Sequence, residues 1–443
     1  MQTEKNEKKA NFHPQRGVKS YIFVFTVIIV GFLFTYILNS LIARNLSQAE
    51  YGDFKFAISI AQILATLALL GGGDAIPRFV PNYVKESKWN FFKGYIQHYL
   101  IILLLTSIII ICLSGLITYN TLTFLGKELS VIKNYHPVSY MIFLVPFLAL
   151  SFLLLRIIEC IGKQNISRIP DAVISPIILF AFVLFVVRAN IDLENHLIFI
   201  GLFCAMMVVV IIDVYIIFHY VPDTVLREKP LFDIKDWGAV AIPLMLSSFV
   251  TFTLTNVEII TLEIMPGNEN NVGIFAAMSV IYSGVFLIIQ AVKAVVNPFV
   301  APLVKERNYI RLQKIYNKSF AFIALVNLIV CIVVILWGKK LLGHFGPEYV
   351  PYYYLLIIMI VFGSIMSPLQ MVIPFLSYSG NEKTMLKINV AGLLISIVLA
   401  VALIYLFGLK GAVFVNIFGT LVVLVINAHL LKKTLKIKPY IIF

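Results

Sequence analysis

The chain has 443 residues, of which 60% are hydrophobic and only 13% charged, and its mean hydropathy is +0.95. This composition excludes a soluble globular protein, and apolar runs of about 20 residues without alternation exclude a membrane β-barrel and predict membrane-spanning helices. The formal charge of +13 would suit nucleic-acid binding in a soluble protein. Here the basic residues concentrate in alternate loops between apolar runs, so we expect no nucleic-acid partner.

Residues 1–18 are polar and basic, and the apolar stretch after them runs for about 24 residues without a small-residue cleavage site. We interpret it as a retained first span rather than a signal peptide. The predicted spans lie near residues 19–43, 54–77, 94–118, 137–160, 171–189, 197–220, 237–263, 272–298, 315–337, 351–377, 384–407 and 411–431. The connections are short and leave no room for a folded soluble domain, so the membrane bundle must carry the function.

An internal repeat divides the chain at an offset of 221 residues. The matched pairs are Gly52 with Gly273, Phe54 with Phe275, Pro77 with Pro298, Pro81 with Pro302, Lys93 with Lys314 and Tyr95 with Tyr316. Each half has about six spans, and an even number returns the chain to its starting side, so the halves share one orientation about an axis along the membrane normal. The predicted fold class is an all-α membrane protein of about twelve transmembrane helices in two six-helix lobes.

The predicted domain order follows from these spans. It comprises an N-terminal tail at 1–18, an N-lobe at 19–220, an inter-lobe linker at 221–236, a C-lobe at 237–431 and a C-terminal tail at 432–443. Lysine and arginine number 23 in one set of alternate polar segments, which includes both ends, and seven in the other. Cytoplasmic loops carry the basic excess, so we predict that both termini and the linker are cytoplasmic.

Two segments, ARNLSQAEYGDF at 43–54 and LLGGGDAIPRFVPNYVKE at 69–86, resemble the opening of Wzx-type O-antigen and polysaccharide flippases. These belong to the multidrug/oligosaccharidyl-lipid/polysaccharide exporter (MOP) superfamily, with the lipid II flippases and the multidrug and toxin extrusion (MATE) transporters. The first span, YIFVFTVIIVGFLFTYILNSLIA, is uncharged and lacks the arginines of the lipid II flippases. The chain therefore resembles the O-antigen branch more closely.

The resemblance implies a V-shaped, MATE-like pair of helical bundles in the bacterial inner membrane that works by alternating access. Its cargo would be a polyprenyl-diphosphate-linked oligosaccharide for surface polysaccharide biosynthesis, such as lipopolysaccharide O-antigen. Membrane lipids, a polysaccharide polymerase and chain-length proteins are the other partners that it implies. No cofactor is expected.

Ionisable side chains inside spans are costly and usually face a bundle interior or water, so they are the default site candidates. A diphosphate cannot enter a low-dielectric cleft unless cations or water replace its hydration, so we predict Lys293 and Arg156 as substrate-binding cations. An alternative stays open for each. Lys293 could pair with Asp74, which the repeat places at similar depth, and Arg156 could pair with Glu159 on its own helix.

Acidic candidates and a glycine run complete the predicted site. Ion or proton coupling, or structural pairing, could fall to Asp74, Glu159, Asp213 and Glu258; Glu263 is a further acidic residue inside a span. The repeat counterpart of Lys293 is Gly72, within the run 71–73, which could make room for a headgroup or for a neighbouring helix.

The sequence contains no HExxH, GxSxG, glycine-rich phosphate loop or paired metal-ligand spacing, so neither an enzyme nor a metal site is expected. The four cysteines lie in apolar segments, where they behave as small hydrophobes. Two alternatives to a flippase stay open. One is a cation-coupled drug efflux transporter. The other is a membrane glycan ligase or polymerase, although the longest external connection, near 119–136, is short for such an enzyme.

Overall fold

The computed structural model describes residues 18–124, 135–377 and 379–439, and all regular secondary structure within them is helical. The main α-helices are α1 (Val18–Asn45), α2 (Gln48–Ala68), α3 (Gly72–Lys85), α4 (Trp89–Phe124), α5 (Val145–Cys160), α6 (Ser175–Arg188), α7 (Asn195–Tyr220), α8 (Ile234–Leu254), α9 (Val257–Ile264), α10 (Glu269–Tyr282), α11 (Gly284–Lys305), α12 (Tyr309–Gly343), α13 (Tyr353–Met366), α14 (Val372–Ser377), α15 (Glu382–Phe407) and α16 (Leu409–Leu435). The predicted tail at 1–18 lies almost wholly outside the described residues.

Ten helical segments of the described chain are long and apolar enough to cross a membrane. Two bent pairs, α2 with α3 at 46° and α10 with α11 at 42°, raise the number to twelve if each pair forms one span. The protein is thus a multi-pass membrane protein, and the predicted all-α fold is confirmed.

Several helices extend well past their predicted ends. α4 has 36 residues and α12 has 35, which at 1.5 Å per residue is about 50 Å, against about 30 Å for the hydrocarbon core. Helix α2 begins at Gln48 and not near residue 54, because Ser47 and Glu50 form a capping box. The Ser47 N–H donates to Glu50 Oε2 (2.9 Å), and the Glu50 N–H donates to Ser47 Oγ (3.2 Å).

Contacts within the chain define two compact units: Met1–Phe23 with Phe56–Phe252, and Val24–Lys55 with Thr253–Phe443. These boundaries fall inside helices α1, α2 and α8 rather than in the linker 221–236. Most of α1 is therefore grouped with the second unit, and α8 with the first. The lobe bounds 19–220 and 237–431 describe the two halves of the sequence repeat and stay a prediction.

In each unit, a later segment of the chain is hydrogen-bonded to the start of a long helix that precedes it in sequence. In the first unit, Leu231 N–H donates to Asn90 O at the start of α4 (3.1 Å). In the second unit, Lys438 N–H donates to Gln313 Oε1 at the start of α12 (2.7 Å). The repeat counterparts Tyr95 and Tyr316 are both fully buried, each in the core of its own unit.

The first glycine pair of the repeat marks a close approach of two helices in the second unit. A Cβ on Gly273 of α10 would lie 1.9 Å from the carbonyl oxygen of Gln48 on α2. A Cβ on Gly52 would lie 2.9 Å from Gly273 N. Both positions therefore require glycine, which gives the repeated residue a structural reason.

Candidate functional site

Arg156 lies near the end of α5 and is engaged by its own helix. Its Nη1 donates to Glu159 Oε2 (2.9 Å), and its guanidinium carbon lies 5.1 Å from the centroid of the Phe152 ring. Arg168 donates to the other oxygen, Glu159 Oε1 (3.3 Å). Glu159 thus bridges two arginines, and the pair that three-residue spacing allows is formed.

Asp74 lies in the first turn of α3 and is held by α8. Ser248 Oγ donates to Asp74 Oδ2 (2.8 Å), and the positive charge of Arg156 also acts on this carboxylate electrostatically. Asp74 and Lys293 belong to different units of the chain, and their pairing stays a prediction.

The glycine run before Asp74 is filled by neighbouring helices. Gly71 has a left-handed backbone (φ 82°), and a Cβ there would lie 2.0 Å from the carbonyl oxygen of Ala241 on α8. A Cβ on Gly72 would lie 2.1 Å from the Tyr99 ring of α4, and one on Gly73 would lie 2.6 Å from Phe152. The run is predicted to make room either for a headgroup or for a neighbouring helix, and the structure shows close packing of helices against it.

Asp213 is the most deeply buried acidic candidate of the first unit. Its side chain on α7 is 1% exposed, and Oδ1 has no hydrogen-bond partner among the described residues. Asp171, which lies in a π-helical turn (Pro170–Ile174), acts on Asp213 electrostatically. Two negative carboxylates repel each other, so protonation of Asp213 lowers the energy of the pair. Asp171 is not among the predicted site residues.

Glu258 is the most deeply buried acidic candidate of the second unit. It lies in the first turn of α9, is 4% exposed, and accepts a hydrogen bond from the Asn416 side chain of α16. Tyr282 of α10 lies close enough to interact with it electrostatically. A cavity of about 10 Å³, room for about one water molecule, is lined by Asn416 and Tyr282 together with Gln370 and other residues of α13, α16 and the 3₁₀ turn between α13 and α14.

Two half-buried lysines of the second unit have no described carboxylate of that unit within 4.0 Å: Lys293 on α11 and Lys55 on α2. The Lys55 ammonium lies 5.7 Å from the centroid of the Tyr51 ring and 5.8 Å from that of Phe54. Lys55 is not among the predicted site residues, because hydropathy places the start of this span near residue 54. The capping pattern Ser47-x-x-Glu50 was the signal that could have placed Lys55 two turns inside the helix.

The fold is that of a MATE-type membrane transporter. An inward-facing multidrug resistance MATE family transporter of the MOP superfamily superposes with a TM-score of 0.75 at 15% identity, covering 94% of this chain and 98% of that chain. An outward-facing one gives 0.65 at 16% identity, with 97% of each chain covered. A MATE in complex with MaL6 gives 0.66 at 17% identity, covering 94% of this chain and 96% of that chain.

The family model described as polysaccharide biosynthesis protein matches residues 18–304, and the MatE model matches residues 243–402. The chain belongs to the polysaccharide biosynthesis protein family and is a translocase of the MOP superfamily, a transporter and not an enzyme. The resemblance to Wzx-type flippases is thereby confirmed, and the glycan ligase or polymerase alternative is set aside. A comparison with curated protein sequences gives no match.

Proposed function

We propose that this protein is a flippase that moves a polyprenyl-diphosphate-linked oligosaccharide across the bacterial inner membrane by alternating access, with both termini in the cytoplasm. The observation that carries the proposal is a pair of half-buried lysines on candidate membrane-spanning helices, Lys55 and Lys293, that no described carboxylate of their own unit neutralises. Membership of the polysaccharide biosynthesis family directs the proposal to a glycan carrier.

A cation inside a membrane protein carries an energetic cost that a bound anion can offset. A lysine at the centre of a membrane helix costs about 2.5–3.5 kcal/mol on insertion scales, less near the ends. An anion that enters the site offsets this cost, and the diphosphate of a lipid-linked sugar has the required charge and hydrogen-bond acceptors. Cationic drugs, in contrast, would be repelled by both lysines.

The two lysines lie at different depths along equivalent spans. At the repeat offset of 221, Lys55 corresponds to position 276 on α10, which is 17 residues before Lys293. At 1.5 Å per residue this separates the two levels by about 25 Å, ignoring the bend between α10 and α11. One cation near each face of the bilayer would let a diphosphate be received on one side and released on the other.

Coupling is assigned to the two buried carboxylates. Asp213 has an oxygen without a described partner, and Glu258 accepts a hydrogen bond from Asn416, a residue that also lines the cavity the size of one water. Either carboxylate can therefore take up a proton or a small cation. Glu159 and Asp74 have structural roles in this scheme, because Glu159 accepts from Arg156 and Asp74 accepts from Ser248. Arg156 joins the two lysines as a substrate-binding cation only if its ion pair with Glu159 opens.

The test is complementation of a deletion strain of the native host, with surface glycan and membrane protein level read together. Lys293→Ala and Lys55→Ala should abolish surface glycan at normal protein level, and Lys293→Arg should retain part of it because charge matters more than shape. Lys387→Ala, which removes an exposed lysine of α15, is the matched control and should behave as wild type. Normal surface glycan in Lys293→Ala would contradict the cationic site. Loss of Lys293→Ala protein that Asp74→Ala restores would indicate a structural pair instead.

A second candidate is cation-coupled drug efflux, favoured by the buried carboxylates and by the match of the MatE model to residues 243–402. It predicts that deletion lowers tolerance to cationic drugs while surface glycan stays normal. The flippase proposal predicts that deletion abolishes surface glycan while tolerance to cationic drugs stays normal.

A further inference from the structure

A cavity of about 280 Å³ lies in the first unit, where α4 begins and α7 ends. Its walls come from α4, α5, α7 and the start of the linker 221–236, and most of the lining is apolar. They include Phe92, Ile96, Leu100, Ile157, Ile217 and Phe218. Helices α4 and α7 are long and apolar enough to cross a membrane, and the cavity lies where α4 begins and α7 ends, which places this trough at the boundary between lipid headgroups and acyl chains. An apolar lining of this kind suits a hydrocarbon chain and offers little to a sugar.

The polar lining is confined to three residues, Lys93, Gln97 and Asp223. Lys93 Nζ donates to the carbonyl oxygens of Leu226 (2.7 Å) and Glu228 (2.9 Å), which lie in the linker 221–236. An ammonium group has three N–H donors, so one is left, and no described carboxylate lies within 4.0 Å to neutralise the charge.

Other charges surround this end of the cavity. Lys163 Nζ lies 4.0 Å from the ring centroid of Tyr220, the residue before Val221 of the lining. The linker 221–236 carries three basic residues, Arg227, Lys229 and Lys235, and four acidic ones, Asp223, Glu228, Asp233 and Asp236. With Lys93 and Lys163, five basic groups stand against four acidic ones, so the net charge at this end is +1.

We propose that this cavity binds one anionic phospholipid, with an acyl chain in the trough and the phosphate on the remaining N–H of Lys93. The positive-inside rule assigns this end of the cavity to the cytoplasmic side of the membrane. The cytoplasmic leaflet carries anionic lipids, which the positive charge of the site complements. The site is separate from Lys55 and Lys293, which lie in the other unit, and so does not depend on the proposed substrate.

The bound lipid would reinforce the attachment of the linker. A Cβ on Gly94 would lie 1.9 Å from the carbonyl oxygen of Leu231, so the linker already packs directly on the α4 backbone. Lys93 joins the same two segments through its hydrogen bonds. A phosphate on Lys93 adds a charge-assisted bond at this junction, so anionic lipid should stabilise the folded protein.

The test uses the purified full chain, delipidated in detergent and titrated with phosphatidylglycerol or phosphatidylcholine of identical chains. Native mass spectrometry measures lipid binding, and thermal unfolding measures the stabilisation. Wild type should bind phosphatidylglycerol about tenfold more tightly than phosphatidylcholine and melt at a higher temperature with it. Lys93→Gln should lose this preference, while the repeat counterpart Lys314→Gln, which removes an exposed lysine of α12, should keep it.

A second variant keeps the test decisive if Lys93→Gln folds poorly. Ile217→Trp fills the trough without changing charge and should weaken binding of both lipids. Phosphatidylglycerol binding that is unchanged in Ile217→Trp, or equally lost in Lys314→Gln, would overturn the proposal. So would undecaprenyl phosphate displacing phosphatidylglycerol at equal concentration, because the trough would then belong to a polyprenyl carrier.

Discussion

Replacing Gly273 by alanine tests the helix contact that underlies the internal repeat. The new Cβ would lie 1.9 Å from the carbonyl oxygen of Gln48, and the backbone there would have to retreat by about 1.5 Å to reach ordinary contact. Overpacking of this kind typically costs about 1–3 kcal/mol. Alanine returns about 1 kcal/mol through its better helix propensity. The net expectation is a loss of up to about 2 kcal/mol in the free energy of unfolding.

Gly238→Ala is the matched control, because Gly238 also lies in a helix, near the start of α8, but a Cβ there meets nothing within 4 Å. It should leave stability unchanged or raise it by up to about 1 kcal/mol. Thermal unfolding of both purified variants in one detergent provides the comparison. If Gly273→Ala melted at or above the temperature of Gly238→Ala, the close approach of α2 and α10 would be refuted.

Three further predictions concern other parts of the chain. Ser248→Ala should destabilise the protein by about 1–3 kcal/mol, because the partly buried Asp74 carboxylate loses its hydroxyl donor; an unchanged melting temperature would argue against that bond. Glu258→Gln should preserve protein level and substrate binding but slow transport, since the amide cannot take up a proton; wild-type transport would remove Glu258 from the coupling scheme. In a cysteine-free background, an impermeant thiol reagent added outside should label Lys410→Cys and not Lys229→Cys, and the opposite pattern would invert the topology.

The sequence predicts the membrane architecture well because its determinants are local and repetitive. Apolar runs of sufficient length fix the spans, and the 221-residue offset that aligns Gly52 with Gly273 finds its structural reason in the contact between them. Helix ends are less predictable from hydropathy. The start of α2 depends on the capping box of Ser47 and Glu50, in a polar stretch, and that misplacement hid Lys55.

The candidate site is harder to predict because its partners come from distant parts of the chain. Ser248 and Asp74 are 174 residues apart, and Asn416 and Glu258 lie on helices with no shared local pattern. The pair that the sequence could indicate, Arg156 with Glu159, has helical spacing. The π-helical turn that carries Asp171 has no signature in hydropathy, so its proximity to Asp213 could not be foreseen.

The most direct test of the proposed function is transbilayer movement itself. The purified protein would be reconstituted in liposomes that contain the lipid-linked oligosaccharide of its host, and an impermeant glycosidase would report how fast glycan from the inner leaflet becomes accessible. The account predicts that wild type accelerates this exposure over protein-free liposomes and that Lys293→Ala lowers the accelerated rate by about tenfold or more. Equal rates with wild-type protein and with empty liposomes would contradict it.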